Sequence, residues 1–231
     1  MIALIDYKAG NLTSVKKALA AVGAPVFVPA QPDDVNRASA IIVPGVGHFG
    51  ATRAIDAPWR DAIRGVVDRG GALLGICLGM QWLFESSDEA PEVRGAGLLS
   101  GACVRLSTVR LKADTTCDDR SVRLQPDLKV PHVGWNSVCL RRDSWIADGV
   151  ADGAQVYFTH SYVAPITTDT VGVTEHGEPF AAIVERGRIA GVQFHPEKSS
   201  AVGLRILSNF TRLAGCNPGP SDRARRDTAS A

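Results

Sequence analysis

The opening third of the chain alternates short apolar runs with helical repeats, and this alternation restricts the fold more than any other feature. The runs are IALI at 2–5, PVFV at 25–28, AIIV at 40–43 and GALLGI at 71–76. Between the first two, Leu12, Val15, Leu19 and Val22 recur at helical spacing, and Gly23 follows where a left-handed C-terminal residue is wanted. A second helix, predicted over 56–69, turns Trp59, Ile63, Val66 and Val67 inward. Strand, helix and strand in this order give parallel pairing, so an α/β fold with a mostly parallel sheet is expected.

The second half reads differently. Strands are predicted near 133–140, 155–160, 171–175, 180–185 and 189–194, and the short links HGEP and RGR make the last three antiparallel hairpins. A final helix over 200–213 has Ser199 or Ser200 as its cap and Gly215 as its stop. One domain over 1–214 accounts for all of this, followed by a tail at 215–231 that has no apolar face and reads as disordered. The polar stretch 106–128 carries a near-repeat, TVRLKAD at 108–114 and SVRLQPD at 121–127, and reads as an inserted surface loop.

A net charge of +1 gives no reason to expect nucleic acid or a charged membrane surface as partner. No apolar run approaches the roughly 18 residues that a spanning helix needs, and the start lacks a basic, then apolar, leader pattern, so a cytoplasmic enzyme is expected. The five cysteines, Cys77, Cys103, Cys117, Cys139 and Cys216, are scattered and never form a CxxC pair. They suggest neither a disulfide framework nor a metal site, and no cofactor is implied.

One cysteine has a distinctive setting. Gly75-Ile76-Cys77-Leu78-Gly79 places a thiol between two glycines, with a strand before it and a helix after it. This is the pattern of a nucleophile elbow with cysteine in place of serine. The thiol would stand at the carboxyl end of the strand, at a helix N-terminus whose dipole favours negative charge. A buried, inert cysteine is the competing reading. A base is needed to decide between them: His195 lies in GVQFHPEKSS just past an apolar strand, and Glu197 two residues on points the same way if the segment is extended, the competing reading being a core histidine and a helix-start carboxylate. Cys77, His195 and Glu197 can then act as nucleophile, base and orienting acid. The backbone N–H groups of Leu78 and of the Pro44-Gly45-Val46-Gly47 segment are candidate oxyanion donors.

PGVGHFG, GICLGMQ and QFHPEKS together resemble the class I (triad) glutamine amidotransferases, from Met1 to about Leu213. The resemblance implies a flavodoxin-like three-layer α/β/α sandwich with an antiparallel extension, and release of ammonia from glutamine by Cys77, His195 and Glu197. It further implies Val46 and Leu78 as oxyanion donors, with Gly47, Gln81, Ser161 and Tyr162 holding glutamine. Within that class, IDYKAGNLTSV, KVPHVGWN and YFTHSY look like the glutaminase subunits of imidazole glycerol phosphate synthases. The partner implied is a (β/α)8 cyclase subunit, in a heterodimer, that takes the ammonia and converts PRFAR to imidazole glycerol phosphate and AICAR. The same likeness places His132, Trp135, Tyr157 and Lys198 near the subunit interface, and activation by the nucleotide-bound partner is expected through the PGVG backbone. Lys8, where glycine is frequent, and the 106–128 stretch depart from the family pattern. The rival readings are a thiol hydrolase that needs no partner and a non-catalytic subunit that keeps the fold.

Overall fold

The computed structural model describes residues 1–107 and 129–216; nearly all of the 106–128 insertion and of the 215–231 tail therefore lies outside the described residues. The first half contains β1 (Ile2–Leu4), α1 (Leu12–Ala21), β2 (Val26–Phe27), β3 (Ala40–Val43), α2 (Ala57–Asp68), β4 (Ala72–Ile76) and α3 (Leu78–Leu83). Short strands β5 (Ser86–Ser87) and β6 (Ala102–Arg105) follow. The second half contains β7 (His132–Leu140), β8 (Ala154–His160), β9 (Tyr162–Val163), β10 (Thr170–His176), β11 (Glu178–Arg186), β12 (Ile189–Val192) and α4 (Ser200–Leu213).

The main sheet runs β2-β1-β3-β4-β12-β11-β10-β7-β8. Pairings from β2 through β12 are parallel and those from β12 through β8 are antiparallel. The expected hairpins between the last three long strands are present. The fold is thus α/β with a sheet divided between a parallel half and an antiparallel extension. A small sheet, β5-β6-β9, lies beside it; its strands are too short to leave a periodic trace in the sequence.

The period-2 alternation of the parallel strands sorts their side chains to two faces. Ile2, Leu4, Ile42 and Leu74 pack with Val15 and Leu19 of α1 and with Ile206, Leu207 and Phe210 of α4. Ala3, Ile5, Ile41 and Leu73 pack with Ile63 and Val66 of α2 and with the α3 residues. Helices cover both faces, which is why these strands are apolar throughout rather than alternating. Each fully buried Leu or Ile side chain contributes about 1.5–3 kcal/mol.

The consequence for function lies in β12. It enters the sheet parallel to β4, with Gly191 opposite Gly75 and Val192 opposite Ile76. Two segments far apart in sequence therefore end side by side, and whatever follows Val192 emerges next to whatever follows Ile76. The carboxyl edge of parallel strands is where open α/β sheets form their clefts.

Candidate active site

Cys77 is the residue after β4 and caps α3 with φ 53° and ψ −106°, a left-handed conformation that costs a side-chain-bearing residue about 1–3 kcal/mol. The flanking glycines make the turn possible. A Cβ at Gly79 would lie 1.8 Å from the Val43 carbonyl oxygen, and one at Gly75 would lie 2.5 Å from the Gly79 carbonyl oxygen. The Cys77 N–H donates to the Val192 carbonyl at 2.8 Å, which fastens the elbow to the end of β12. Its Sγ lies 3.8 Å from the Thr159 carbonyl oxygen and 3.6 Å from the side-chain amide of Gln193.

His195 follows β12 and is 2 % exposed. Its N–H donates to the Tyr157 carbonyl on β8 at 2.9 Å, and Nδ1 lies 2.8 Å from Glu197 Oε1. Cys77, at the end of the neighbouring strand β4, is the other group that acts on the imidazole. Burial by itself would lower the His195 pKa, but the hydrogen bonds and charges of Cys77 and Glu197 outweigh it and push the imidazole up to about 10. The segment 195–199 is tied down by a residue that the sequence casts as a possible helix cap. Ser199 occupies the N-cap position of α4, yet its hydroxyl does not cap the helix. It donates instead to the His195 carbonyl at 2.7 Å and accepts from the Tyr157 N–H at 3.0 Å, so the need to satisfy buried backbone groups beside His195 overrides capping.

In front of the sulfur lies a pocket of about 280 Å³ lined by Gly47, Cys77, Leu78, Gln81, Glu89, Pro131, Thr159, His160, Ser161 and Tyr162. It gathers Gly47, Gln81, Ser161 and Tyr162, four residues from three separated stretches that the sequence groups together. His195 and Glu197 are not among the residues that line it. Gly47 has φ +96°, open to glycine at little cost. Leu78 is the first residue of α3, where a helix amide has no intrahelical acceptor. Val46 differs: its N–H donates to the Ala9 carbonyl at 2.9 Å, so in this conformation the amide is held by the N-terminal segment and is not free for an oxyanion. Lys8, next to Ala9, has φ 64° and is held by Asp6, through its N–H at 2.9 Å and its ammonium at 2.8 Å.

Glu89, His160 and Thr159 line the pocket without having been singled out in the sequence. Glu89 accepts the Phe49 N–H at 2.6 Å, which turns its carboxylate toward the PGVG side. Its neighbourhood, SSDEAPE, reads as an ordinary polar loop and carries no signal. His160 had one: a histidine ending an apolar strand beside Ser161 and Tyr162.

A thiol elbow, an imidazole–carboxylate pair and a small polar pocket suit attack on a carboxamide, and comparison with known proteins narrows the class. A sequence profile of the family described as Glutamine amidotransferase class-I matches residues 3–213. The chain belongs to this family. Glutamine amidotransferases of this class hydrolyse glutamine with a cysteine nucleophile, and this chain is a glutaminase. Similar proteins include "Imidazole glycerol phosphate synthase subunit HisH" of Moorella thermoacetica, 43 % identical over 92 % of this chain and 94 % of that protein. The protein of the same name from Bacillus subtilis is 42 % identical over 93 % of this chain and 97 % of that one. Among solved structures, one described as a glutamine amidotransferase superposes with TM-score 0.66 at 19 % identity, covering 93 % of this chain and all of that one. PurLQS from Thermotoga maritima gives TM-score 0.67 at 17 % identity, covering 91 % of this chain and 97 % of that one. These two structures share the fold. Among the described residues of this glutamine amidotransferase, no group of three histidine, cysteine or carboxylate side chains could hold a metal ion.

Proposed function

We propose that this chain is the glutaminase of an imidazole glycerol phosphate synthase and that Cys77, His195 and Glu197 carry the reaction. The observation behind the residue assignment is the meeting of β4 and β12: their adjacent ends bring Cys77 against an imidazole that Glu197 holds at 2.8 Å. Cys77 Sγ, its proton taken by His195, attacks the carboxamide carbon of glutamine and forms the S–C bond. His195 donates a proton to the nitrogen as the C–N bond breaks and ammonia leaves. The imidazole then takes a proton from water, the hydroxyl adds to the thioester carbon, the S–C bond breaks, and glutamate departs with the proton left shared between His195 and the freed sulfur. Glu197 keeps Nδ1 protonated and oriented through both steps.

The tetrahedral oxyanion takes the Leu78 N–H as one donor. Val46 becomes the second donor once its N–H leaves the Ala9 carbonyl, which makes partner-dependent activation a change in the PGVG backbone. Gly47, Gln81, Ser161 and Tyr162 hold glutamine, and the Glu89 carboxylate meets its α-ammonium group.

The ammonia goes to a cyclase subunit acting on PRFAR, and the reading extends to a heterodimer in the cytoplasm. Among the described residues no helix is long and apolar enough to cross a membrane. The docking face is built on β7 and β8. Val133 is 55 % exposed and Trp135 53 % exposed, an unusual display of large apolar side chains on adjacent outward positions of one strand. Trp135 meets Tyr157 edge-on with ring centres 6.0 Å apart, and the Lys198 ammonium lies 5.5 Å from the centre of the Tyr157 ring. Tyr157 also supplies the carbonyl that receives the His195 N–H, so this face is joined to the triad through one residue.

The test is glutamate release from glutamine by the chain alone, with the cyclase subunit, and with cyclase plus PRFAR or a stable analogue, each beside Cys77→Ser. Activity confined to the full mixture and lost in Cys77→Ser is the expected result. Full activity of the lone chain would replace it with a free-standing hydrolase, and activity in Cys77→Ser would remove Cys77 from the mechanism.

A further inference from the structure

Gln193 lies between β12 and His195, flanked by Val192 and Phe194, and all three residues are fully buried. A carboxamide at such a position is costly unless its groups are hydrogen-bonded, and an apolar residue would fill the same space without that demand. Its contacts form a chain with only one consistent direction. The Tyr162 carbonyl can only accept, so Gln81 turns its amide nitrogen toward it, at 2.9 Å. The same nitrogen lies 3.2 Å from the side chain of Gln193, which must therefore present its oxygen. The Gln193 NH2 group is left pointing the other way, and it lies 3.6 Å from Cys77 Sγ. The assignment of oxygen and nitrogen in both amides thus follows from a backbone carbonyl.

We propose that Gln193 is a further catalytic residue, whose amide N–H donates to the Cys77 sulfur while its amide oxygen holds Gln81 in the glutamine pocket. The inference rests on Cys77 being the nucleophile. An N–H donor favours sulfur when it carries negative charge, before attack and again as the thioester breaks, and favours it less when the sulfur is neutral in the thioester. The second half of the chain restricts specificity. Both hydrogens of the Gln81 amide are spent, on the Tyr162 carbonyl and on Gln193, so Gln81 offers the pocket an acceptor only. Its partner on the substrate is then an N–H group, the α-ammonium or the carboxamide, and not the α-carboxylate.

Two variants separate these roles. Gln193→Met keeps the volume and removes both hydrogen bonds. Gln193→Glu keeps an oxygen for Gln81 and removes the donor to sulfur. The first readout is the pH midpoint of Cys77 alkylation by iodoacetamide, followed on the Cys77 peptide by mass spectrometry. Among the described residues the titratable groups around the sulfur are His195 with its partner Glu197, Tyr7, and His160 and Glu89 across the pocket; neither variant replaces any of them, and Gln193→Glu adds a carboxyl group. The second readout is kcat and KM for glutamine in the activated complex with the cyclase subunit.

The alkylation midpoint is expected to rise by about one pH unit in Gln193→Met, the size of one hydrogen bond to a charged group, and further in Gln193→Glu, whose carboxylate also repels a thiolate; kcat should fall at least about tenfold in both. KM should rise in Gln193→Met and stay near wild type in Gln193→Glu. A folded Gln193→Met protein with an unmoved midpoint and unchanged kcat would overturn the donor role. Equal KM effects in the two variants would overturn the link to Gln81. Should Gln193→Met not fold, Gln193→Leu, which is neutral and also lacks the donor, takes its place. If Cys77→Ala retained glutaminase activity, the underlying assignment of the nucleophile would fail, a result distinct from an unmoved midpoint.

Discussion

His195 and His132 are both almost closed to solvent, 2 % and 4 % exposed, and their imidazoles are driven in opposite directions. For each, burial is the largest influence and acts to lower the pKa. Around His195 it is outweighed by Cys77 and Glu197, and the ring is raised to about 10. Around His132 no anion intervenes among the described residues; burial and the nearby His176 take the ring down to about 4, while burial and His132 take its neighbour His160 down to about 3. The second group is a ladder of neutral rings. The Tyr162 carbonyl receives His160 Nδ1–H at 3.1 Å, so His160 Nε2 accepts from His132 Nδ1–H at 3.1 Å, and His132 Nε2 accepts from Asn136 at 3.2 Å. His132 also stacks on Phe158 and His176, with ring centres 4.7 and 4.1 Å away. Burial does not decide the charge of a histidine here. Whether an acid shares the site does.

Removing the acid is the largest test of that comparison. Glu197→Gln keeps an oxygen that can accept from His195 Nδ1–H and removes the charge. The His195 pKa should drop from about 10 toward 6.5, and kcat of the activated complex should fall roughly 10³- to 10⁴-fold, the range for a triad whose acid is neutralised. Glutamate release and NMR titration of labelled histidine measure the two effects. Near-wild-type turnover in a folded Glu197→Gln protein would place the orienting charge elsewhere.

The two histidine sites also differ in how far the sequence discloses them. Elbow and base are local: GICLG needs its glycines because Val43 and Gly79 backbone atoms crowd them, and HPE holds its acid two residues from its imidazole. The ladder is not local. His132 and His160 are 28 residues apart and meet only because β7 and β8 pair in a register that puts them opposite each other. The position of β12 beside β4 is equally silent, since an apolar run of four residues fits any interior slot of the sheet. Ser199 reads as a helix cap because serine before a helix usually is one, and a buried carbonyl claims it instead. Gln193 did leave a trace, a lone amide inside the apolar run GVQF, but one polar residue in a strand has many bland explanations.

Protonation linkage gives a second, smaller test in which the sites pull against each other. For His132 and His160 the folded pKa lies below the unfolded value of about 6.5, so the unfolded chain binds more protons as pH falls below 6.5 and stability is lost toward pH 4 and 3. For His195 the folded pKa lies above it, so its contribution is complete below about 6.5 and is lost as pH rises through about 10. The histidine part of the stability therefore peaks near pH 6.5. Each limb has a slope of at most about 1.4 kcal/mol per pH unit for each proton involved. Urea midpoints measured from pH 5 to 9 should show both limbs. His132→Gln should flatten the acid limb alone, and Glu197→Gln the alkaline limb alone; a variant that flattened both would mean that the two sites titrate as one.

The smallest effect is the most direct on the comparison, because it brings an acid to the site that lacks one. Asn136 reaches His132 Nε2 and also donates to the Glu175 carbonyl at 2.9 Å. In Asn136→Asp a carboxylate oxygen replaces the donor, so His132 must turn a proton toward it or accept repulsion between lone pairs. Its Nδ1 proton is already committed to His160. The relief is to hold a proton on each nitrogen, which is the imidazolium, and the His132 pKa should rise from about 4 by roughly 1–2 units. NMR titration of His132 reads the shift. The Glu175 carbonyl loses a donor, so a stability loss of about 1 kcal/mol should accompany it. An unmoved pKa with that stability loss would mean that burial holds His132 neutral even beside an anion, and the contrast with His195 would then rest on Cys77 more than on Glu197.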